Sequence, residues 1–404
     1  MGENELNTTS ETDVKNRLMK FYRTHQDECD RQYADAMDHN KFNIYEEIED
    51  DNIKNVLFLK TEVAILTANT FEKNVLHLNA VKEKSQKIYH YMINSSNNPR
   101  RPLNINVYFF EMGDFHIVHM EAKQTGSYSM GGSADIVRYI LSNECCFPSV
   151  VISYGICFGN DCTDQEIGDT IIVDKLYPYF MSAKVDENFF IVKDNNIFNI
   201  DPQLDARLQH LIGQRKLSES DRVFYGHMVT GEAVISNAVM KDIFIKAATN
   251  QQVLGGEMEG YGLFKECQGF ECLIPCMVVK SICDWGVYKN LHVDEVRTIN
   301  LKDKLQAYAA NQACKVLTVL LKKDSKMFGI SIYEQVKQLI YKPNIQEGGL
   351  LNFLLMKKIL NEEVHTPKKI ENIDIICDMI LEGLEQENII TYIRDDLYQL
   401  GEKI

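Results

Sequence analysis

The sequence of 404 residues has no long hydrophobic run. A helix that spans a bilayer needs roughly 20 consecutive apolar residues, and no stretch of the sequence approaches that length. The first residues, MGENELNTTSETDVKNR, are polar and lack the apolar core of a secretory signal. We therefore expect a cytoplasmic protein with no membrane partner.

Cysteine pairs with the spacing of a zinc site are also missing. The 11 cysteines are scattered and form no CxxC pair. An odd number spread through apolar segments indicates reduced thiols in a core rather than a disulfide framework. We expect no structural metal, and no metal or redox cofactor.

Positive charge is scarce, because the formal net charge is −15 and the sequence pI is about 5.2. A chain of this sign repels a phosphate backbone at long range, so a nucleic-acid partner is not expected. An overall negative charge still allows a local basic pocket that binds one nucleotide. Hydrophobic residues make up 45% and charged residues 25%, as in a folded soluble protein. The length indicates two or three units.

Three segments differ in pattern. Residues 1–52 are polar, helix-prone and rich in acidic clusters, which predicts a solvated helical arm. In residues 53–325, short apolar runs alternate with helical stretches, which predicts an α/β domain whose mixed sheet is covered by helices. The runs predicted as strands are VLFLKTEVAILTA, INVYFFEM, FHIVHME, SVVISYGICFG, DTIIVDKL, RVFYGHMVT, QVLGGEME and CMVVKSICD.

Residues 326–404 predict a small winged-helix-like unit. FLLMKKIL and IDIICDMILEGLEQENII have helical periodicity, and ITYIRDD with LYQL indicates a pair of strands around Asp395 and Asp396. The second helix carries acids where DNA-recognition helices carry basic and amide side chains. The unit is therefore predicted to contact a protein partner or another copy of the chain.

Two short sequences carry most of the chemical information. VVKSICDW is an apolar run that ends in Asp284 beside the only tryptophan, and ligands of α/β sheets bind at the carboxyl ends of strands. A carboxyl group there, in a partly apolar setting, can donate a proton. GGEMEG carries Glu257 and Glu259, which would share one face if the strand continued through both. Met258 would then face the other side, unless the backbone turns. Lys280, inside the apolar run, requires an acidic partner if it is buried.

Together with two further segments, these sequences resemble the nucleoside phosphorylase superfamily, and most of all its hydrolytic branch of methylthioadenosine/S-adenosylhomocysteine nucleosidases. Four segments occur in the family order: TANTFEKNV, SYGICFGN with IGDTIIV, TGEAVI, and GGEMEG with VVKSICD. The resemblance covers about residues 53–325. The resemblance implies a nucleoside phosphorylase-type fold, a purine substrate and an oligomer. GICFG with IGD, and GGEMEG with KSICDW, also resemble phosphorylase-like effector domains of bacterial antiviral systems.

The resemblance assigns roles position by position. Asp284 corresponds to the acid that protonates N7 of the leaving base, Glu259 to the glutamate that holds the ribose hydroxyls, and Glu72 to the glutamate that activates water. Met258 corresponds to the methionine packed against the sugar. The remaining positions are implied to surround the base: Cys157, Phe158, Gly159, Val234 and Ile235. Glu257 is expected to bind the substrate because of its strand spacing with Glu259. Phe158 either stacks on the purine or packs in the core.

Departures from the family pattern bear on the nucleophile. Phosphorylases of the superfamily have an arginine two residues before the loop glycine and a serine after it. Around Gly155 this chain has Ser153 and Ile156 instead, so neither phosphate-binding group is present. Cys283 stands where the nucleosidases have serine, which weakens the hydrogen bond expected for Asp284.

The sequence thus predicts hydrolysis of the N-glycosidic bond of a purine nucleoside or nucleotide, with release of the free base. Phosphorolysis of a purine nucleoside stays open as an alternative, because another basic residue could bind phosphate. A non-catalytic nucleotide-sensing module is the second alternative. The effector resemblance implies ATP or a related adenine nucleotide as substrate.

Overall fold

The architecture is a mixed α/β fold in the computed structural model. The structure describes residues 10–38, 44–84, 87–95, 103–122, 125–127, 131–179, 184–185, 191–192, 197–214, 217, 222–249, 251–269, 274–287, 300–322, 327–342, 350–366, 369–394 and 397–400. Among their helices, none combines the length and apolarity that crossing a bilayer requires.

The chain begins with two helices that pack on the rest of the molecule. α1 (Glu11–Thr24) starts at a capping box, in which the Ser10 hydroxyl accepts the Asp13 backbone N–H and the Asp13 carboxylate accepts from Ser10. Its buried face is formed by Val14, Leu18, Met19 and Tyr22. The prediction of a helical arm is confirmed, but the arm is not a solvated one, because its apolar positions fall on one buried stripe.

α2 (Gln26–Met37) lies against the long helix α9 (Leu301–Leu320) and against α4 (Thr70–Lys84). Its buried residues are Cys29, Gln32 and Ala36. Three of its acids pair with lysines of the neighbouring helices: Asp30 with Lys304, Glu28 with Lys315 and Asp35 with Lys82.

The central part alternates strands with helices, as predicted. Its strands are β1 (Tyr45–Glu47), β2 (Val63–Thr67), β3 (Ile88–Ser95), β4 (Leu103–Met112), β5 (Phe115–Glu121), β6 (Val150–Gly159), β7 (Thr170–Pro178), β8 (Lys184–Val185), β9 (Ile191–Val192), β10 (Phe198–Asn199), β11 (Val223–Thr230), β12 (Gly255–Glu257) and β13 (Cys276–Asp284). The remaining helices are α3 (Asp51–Lys60), α5 (Ser133–Ser142), α6 (Pro202–Gly213), α7 (Ala238–Ala248) and α8 (Gly260–Gly269).

The sheet is mixed and closes on itself at one end. β2 pairs in parallel with β5 and β6, while β3, β4 and β5 form an antiparallel meander. β6 pairs with β13, β13 with β7, β7 with β11, β11 with β12, and β12 returns to β6. These five pairings form a closed ring of strands, so the central strands present no free edge.

Two predicted strands are partly wrong. In VLFLKTEVAILTA only Val63–Thr67 is a strand, because VLFLK forms the end of α3, whose Val56, Phe58 and Leu59 are buried. A short apolar run fits a buried helix as well as a strand. In QVLGGEME only Gly255–Glu257 is a strand, since the backbone turns into α8 directly afterwards.

The C-terminal unit has the order helix, strand, helix, helix, strand, strand. Its elements are α10 (Ile332–Ile340), β14 (Leu350–Asn352), α11 (Phe353–Glu362), α12 (Ile373–Gln386), β15 (Ile390–Arg394) and β16 (Leu397–Leu400). β16 lies between β14 and β15 in an antiparallel sheet. This is a winged-helix-like arrangement, as predicted. Asp395 and Asp396 lie outside the described residues.

The C-terminal unit packs on α3 through α10 and α12. Apolar residues of both parts belong to one buried cluster, which includes Phe58, Tyr333 and Ile380. The Glu387 carboxylate also accepts from Lys60 at 2.5 Å and from Lys337 at 3.0 Å. The boundaries at residues 52 and 326 therefore separate patterns in the sequence, but apolar contacts continue across them.

Candidate active site

A cavity of about 230 Å³ opens at the carboxyl ends of β2, β11, β12 and β13, beside the last residues of β6. We call it the site cavity. Its size is close to the lower end of the roughly 300–1,000 Å³ range of small-molecule sites. It is lined by all but one of the residues predicted from sequence, namely Glu72, Cys157, Phe158, Val234, Ile235, Glu257, Met258, Glu259 and Asp284.

Gly159 is the predicted position that does not line the site cavity. It pairs with Gly255 at the end of β6, and a side chain added there would meet Gln165 and Ile282. The side chains of Gln165 and Ile282 therefore occupy the space beside Gly159, and neither residue lines the site cavity.

The sequence EMEG forms a turn, not a continuous strand. The Glu257 carboxylate accepts the backbone N–H groups of Glu259 at 2.9 Å and Gly260 at 2.7 Å. It therefore caps the first turn of α8, whose N–H groups have no partner inside the helix. The expected sharing of one strand face is wrong, and the turn lets Met258 line the cavity together with both glutamates.

Lys280 is fully buried in β13 and pairs with Glu259 at 3.0 Å. The prediction that this lysine requires an acid near the site is confirmed. The second oxygen of Glu259 accepts the backbone N–H of Gly126 at 3.3 Å. The ion pair and this hydrogen bond fix the carboxylate at the cavity wall.

Lys280 is surrounded by three buried carboxyl groups, those of Glu259, Glu72 and Glu257. Burial disfavours its charged form, but the three carboxylates outweigh burial and raise the pKa of Lys280. One cation does not neutralise three acids. Burial, with a contribution from Glu259, accordingly raises the pKa of Glu257 to about 7, and burial likewise raises the pKa of Glu72.

The hydrogen bonds described for the Glu72 carboxylate all come from backbone groups. Its carboxylate accepts N–H groups of Ala68 at 2.6 Å, Asn69 at 3.2 Å and Ile156 at 2.9 Å. Gly155, at φ +150°, allows this approach, since a Cβ there would lie 2.0 Å from a Glu72 oxygen. The first turn of α4 and the end of β6 thus position one carboxylate between them.

Asp284 stands at the end of β13, where the register with β6 shifts at Cys283. Such a bulge turns the following side chain out of the ladder and is common beside functional sites. One Asp284 oxygen accepts the backbone N–H of Gly286 at 2.7 Å, and the Cys283 thiol lies 3.5 Å from the other. A thiol is a weak donor, as expected from the departure at this position.

Phe158 belongs to a small buried cluster with Tyr177 and Val253. Side chains added at Gly256 or Gly286 would clash with its ring, so both glycines pack closely against it. Phe158 lines the site cavity and also packs in the core, so the two interpretations of this residue are compatible.

Several lining residues were not found from the sequence. Asn69 and Thr125 come from loops, while Lys302 and Gln306 come from the first turns of α9. The Asn69 side chain accepts the backbone N–H of Glu72 at 3.0 Å, a capping signal that was readable before a helix. The residues of α9 follow no motif, and only the tertiary fold brings them to the cavity.

Among the described residues, no group of three or more histidine, cysteine, aspartate or glutamate side chains is arranged to hold a metal ion. The groups described at the site cavity are carboxyl groups, the ammonium groups of Lys302 at its wall and of buried Lys280 behind Glu259, and backbone donors.

No family model matches the chain. No curated protein matches it either. Solved structures with similarity include S-adenosylhomocysteine nucleosidase from Streptococcus pyogenes, at 16% identity and a TM-score of 0.49 over 65% of this chain and 97% of that one. Methylthioadenosine/S-adenosylhomocysteine nucleosidase from Neisseria meningitidis is 17% identical, with a TM-score of 0.49 over 65% of this chain and 99% of that one. Futalosine hydrolase of Helicobacter pylori is 16% identical, with a TM-score of 0.47 over 65% of this chain and 97% of that one.

Proposed function

We propose that the chain hydrolyses the N-glycosidic bond of a purine nucleoside or nucleotide and releases the free base. The observation that carries the proposal is that Glu72, Glu259 and Asp284 line one cavity at the carboxyl ends of the strands. These are the three groups that such a reaction needs: a base for water, an anion beside the sugar and an acid for the leaving group.

Glu259 is proposed to bind the ribose diol. Its two oxygens each have one described hydrogen bond, to Lys280 and to Gly126, and a carboxylate offers about four acceptor positions. The remaining positions accept the 2′ and 3′ hydroxyls. The contact with Lys280 favours the ionised form, whose negative charge stabilises an oxocarbenium-like transition state.

Asp284 is proposed to protonate N7 of the base, and Glu72 to orient the attacking water. The water oxygen bonds to the anomeric carbon, the bond from that carbon to the base breaks, and the base leaves as the neutral purine. Glu72 takes the proton of the water. Its raised pKa makes it a stronger base than an ordinary glutamate. Met258 is proposed to pack against the sugar, with Val234 and Ile235 beside the base.

Phosphorolysis is the second candidate, because Lys302 lines the site cavity and brings a cation to it, although the phosphate-binding arginine of the phosphorylases is missing. The substrate, following the resemblance to effector domains, is proposed to include ATP or related adenine nucleotides, consumed as an antiviral response. The chain is further proposed to act as a homo-oligomer, with residues 326–404 available to a protein partner.

The test is chromatography of a panel of purine nucleosides and nucleotides after incubation with the protein. Free base in phosphate-free buffer supports hydrolysis. Base release that depends strictly on inorganic phosphate, with ribose 1-phosphate as the second product, assigns phosphorolysis instead. Tight binding of a nucleotide without base release, even at high protein concentration, would contradict both reactions and assign a non-catalytic sensing module.

A further inference from the structure

A second and larger cavity, of about 740 Å³, lies between α1 and the end of β13. We call it the α1 cavity. Arg17 and Lys20 line it from α1, Lys241 from α7, and Asn160, Cys162 and Trp285 from the loops after β6 and β13. Its volume lies within the roughly 300–1,000 Å³ of small-molecule sites. None of its residues is used by the proposed reaction.

Lys241 is buried, with 8% of its surface exposed, yet it forms no ion pair among the described residues. Its ammonium group donates to the backbone carbonyls of Asn160 at 3.0 Å and Trp285 at 3.3 Å. A buried cation without a counterion is costly. Burial accordingly lowers the pKa of Lys241. The third N–H of this group has no described acceptor.

Trp285 is a second residue of the α1 cavity with a buried N–H that lacks a described acceptor. Its indole N–H is buried and has no hydrogen-bond partner in the part of the chain that the structure describes. Buried indole groups usually find an acceptor. Lys241 and Trp285 thus both line the α1 cavity, and each keeps one N–H without a described acceptor.

A second cation reaches the same loop from the opposite wall. The Arg17 guanidinium donates to the carbonyl of Cys162, and Lys241 donates to that of Asn160. Two residues of chain span at most about 7 Å, so both cations are within reach of one chain of phosphate groups. Lys20 lies one turn beyond Arg17 on α1 and adds a third positive charge.

Three acids also line the α1 cavity, but two of them are bound within their own turns. Asp13 closes the capping box with Ser10. Asp161 accepts the backbone N–H and the hydroxyl of Thr163 at 2.7 and 2.6 Å. Asp242 is the neighbour of Lys241 in the chain and attracts it without reaching it.

We propose that the α1 cavity binds a small molecule that carries two or more phosphate groups, held by Lys241, Arg17 and Lys20 beside Trp285. This proposal does not depend on the proposed function, because it uses none of the acids of the site cavity.

The test uses the full chain and the fluorescence of Trp285, which is the only tryptophan. Inorganic tripolyphosphate is the probe, since it has no glycosidic bond and cannot be a substrate. We expect a saturable change in the fluorescence of the wild type. The Lys241→Met variant should bind at least tenfold more weakly, and Lys246→Met, an exposed lysine on the same helix, should bind as the wild type does.

The double variant Arg17→Gln with Lys20→Gln serves as the second test, because both side chains are exposed and their replacement spares the core. It should also weaken tripolyphosphate binding at least tenfold. A repeat with ATP on the Asp284→Asn background shows whether a nucleotide binds more tightly than phosphates alone. No saturable change in the wild type, or equal affinity in the wild type and the folded double variant, overturns the proposal.

Discussion

Gly155 has a role that no other residue type can fill. Its φ of +150° is strained for any residue with a side chain, and the Glu72 carboxylate occupies the space that a Cβ would need. The glycine is thus as much a part of the candidate site as the acids. The sequence alone showed a glycine in an apolar run, without the carboxylate that packs against it.

We predict that Gly155→Ala loses about 2 kcal/mol or more of stability, from strain and overpacking. It should also reduce base release at least tenfold, because Glu72 is displaced. Urea unfolding and the chromatographic assay measure the two effects. Gly213→Ala is the matched control, since a Cβ there meets nothing within 4 Å. Wild-type activity in Gly155→Ala would show that the position of Glu72 is unimportant.

Glu257 makes stability depend on pH. Its pKa is about 7 in the folded chain, against an ordinary value of 4.5, so the folded state binds this proton more tightly than the unfolded state does. Its contribution to stability therefore falls as pH rises from about 4.5 to about 7.

We predict that the wild type, relative to Glu257→Gln, loses on the order of 3 kcal/mol of unfolding free energy between pH 5 and 8. Glutamine keeps an acceptor for the backbone N–H groups at the start of α8 but does not titrate. Urea unfolding of both proteins across this pH range is the measurement. Parallel stability curves would mean that Glu257 is not perturbed as described.

At the scale of elements, the sequence predicted helix and strand types well where the periodicity was long. The helices of the C-terminal unit and strands such as β4, β5 and β13 were found because their patterns extend over several residues. The errors fall at VLFLK, where a short apolar run forms a helix, and at EMEG, where Glu257 caps α8 and the strand ends. The helix at VLFLK depends on tertiary packing, because Val56, Phe58 and Leu59 are buried. The turn at EMEG is local, because Glu257 caps residues two and three positions later in the chain.

The candidate site was predictable to the extent that it lies at strand ends. Asp284 and Glu259 could be placed there because apolar strands precede them. The contribution of α9 could not, since Lys302 and Gln306 reach the cavity only through the packing of a helix against the sheet.

α1 offers a prediction at this scale. Its capping box at Ser10 satisfies backbone N–H groups at the start of the helix. Replacement of Ser10 by alanine should lower the free energy of unfolding by about 1 kcal/mol. It should also speed amide exchange in residues 11–24, as measured by mass spectrometry. Thr24→Ala, at the other end of the helix, removes only a hydroxyl bond to Lys20 and should leave this exchange unchanged. Equal exchange in all three proteins would show that the cap does not hold α1.

At the scale of the whole molecule, one buried cluster joins the N-terminal helices, the sheet and the C-terminal unit. Glu387 adds an ionic contact, because Lys60 of α3 and Lys337 of α10 both pair with it. Burial opposes the charged form of Glu387, but the two lysines outweigh it and lower the pKa of Glu387. This contact stabilises the fold above the ordinary pKa of a glutamate and is lost as pH falls through the lowered value.

Glu387→Gln should therefore loosen the C-terminal unit. We expect a loss of about 1 kcal/mol, since the group is partly exposed, with faster amide exchange in α12 at neutral pH. Glu382→Gln, whose described hydrogen bond is to Gln386, is the control on the same helix. Unchanged exchange in Glu387→Gln would mean that apolar packing alone holds the unit in place.

The central claim is that Asp284 acts as the acid in cleavage of a purine N-glycosidic bond. The most direct measurement is the rate of free-base release by Asp284→Asn in phosphate-free buffer, beside the wild type and an exposed-acid control, Asp164→Asn. Asparagine keeps the acceptor for the Gly286 N–H but has no acidic proton. The account predicts a folded variant with base release reduced at least a hundredfold and a control with wild-type activity. Base release by folded Asp284→Asn at the wild-type rate would contradict it.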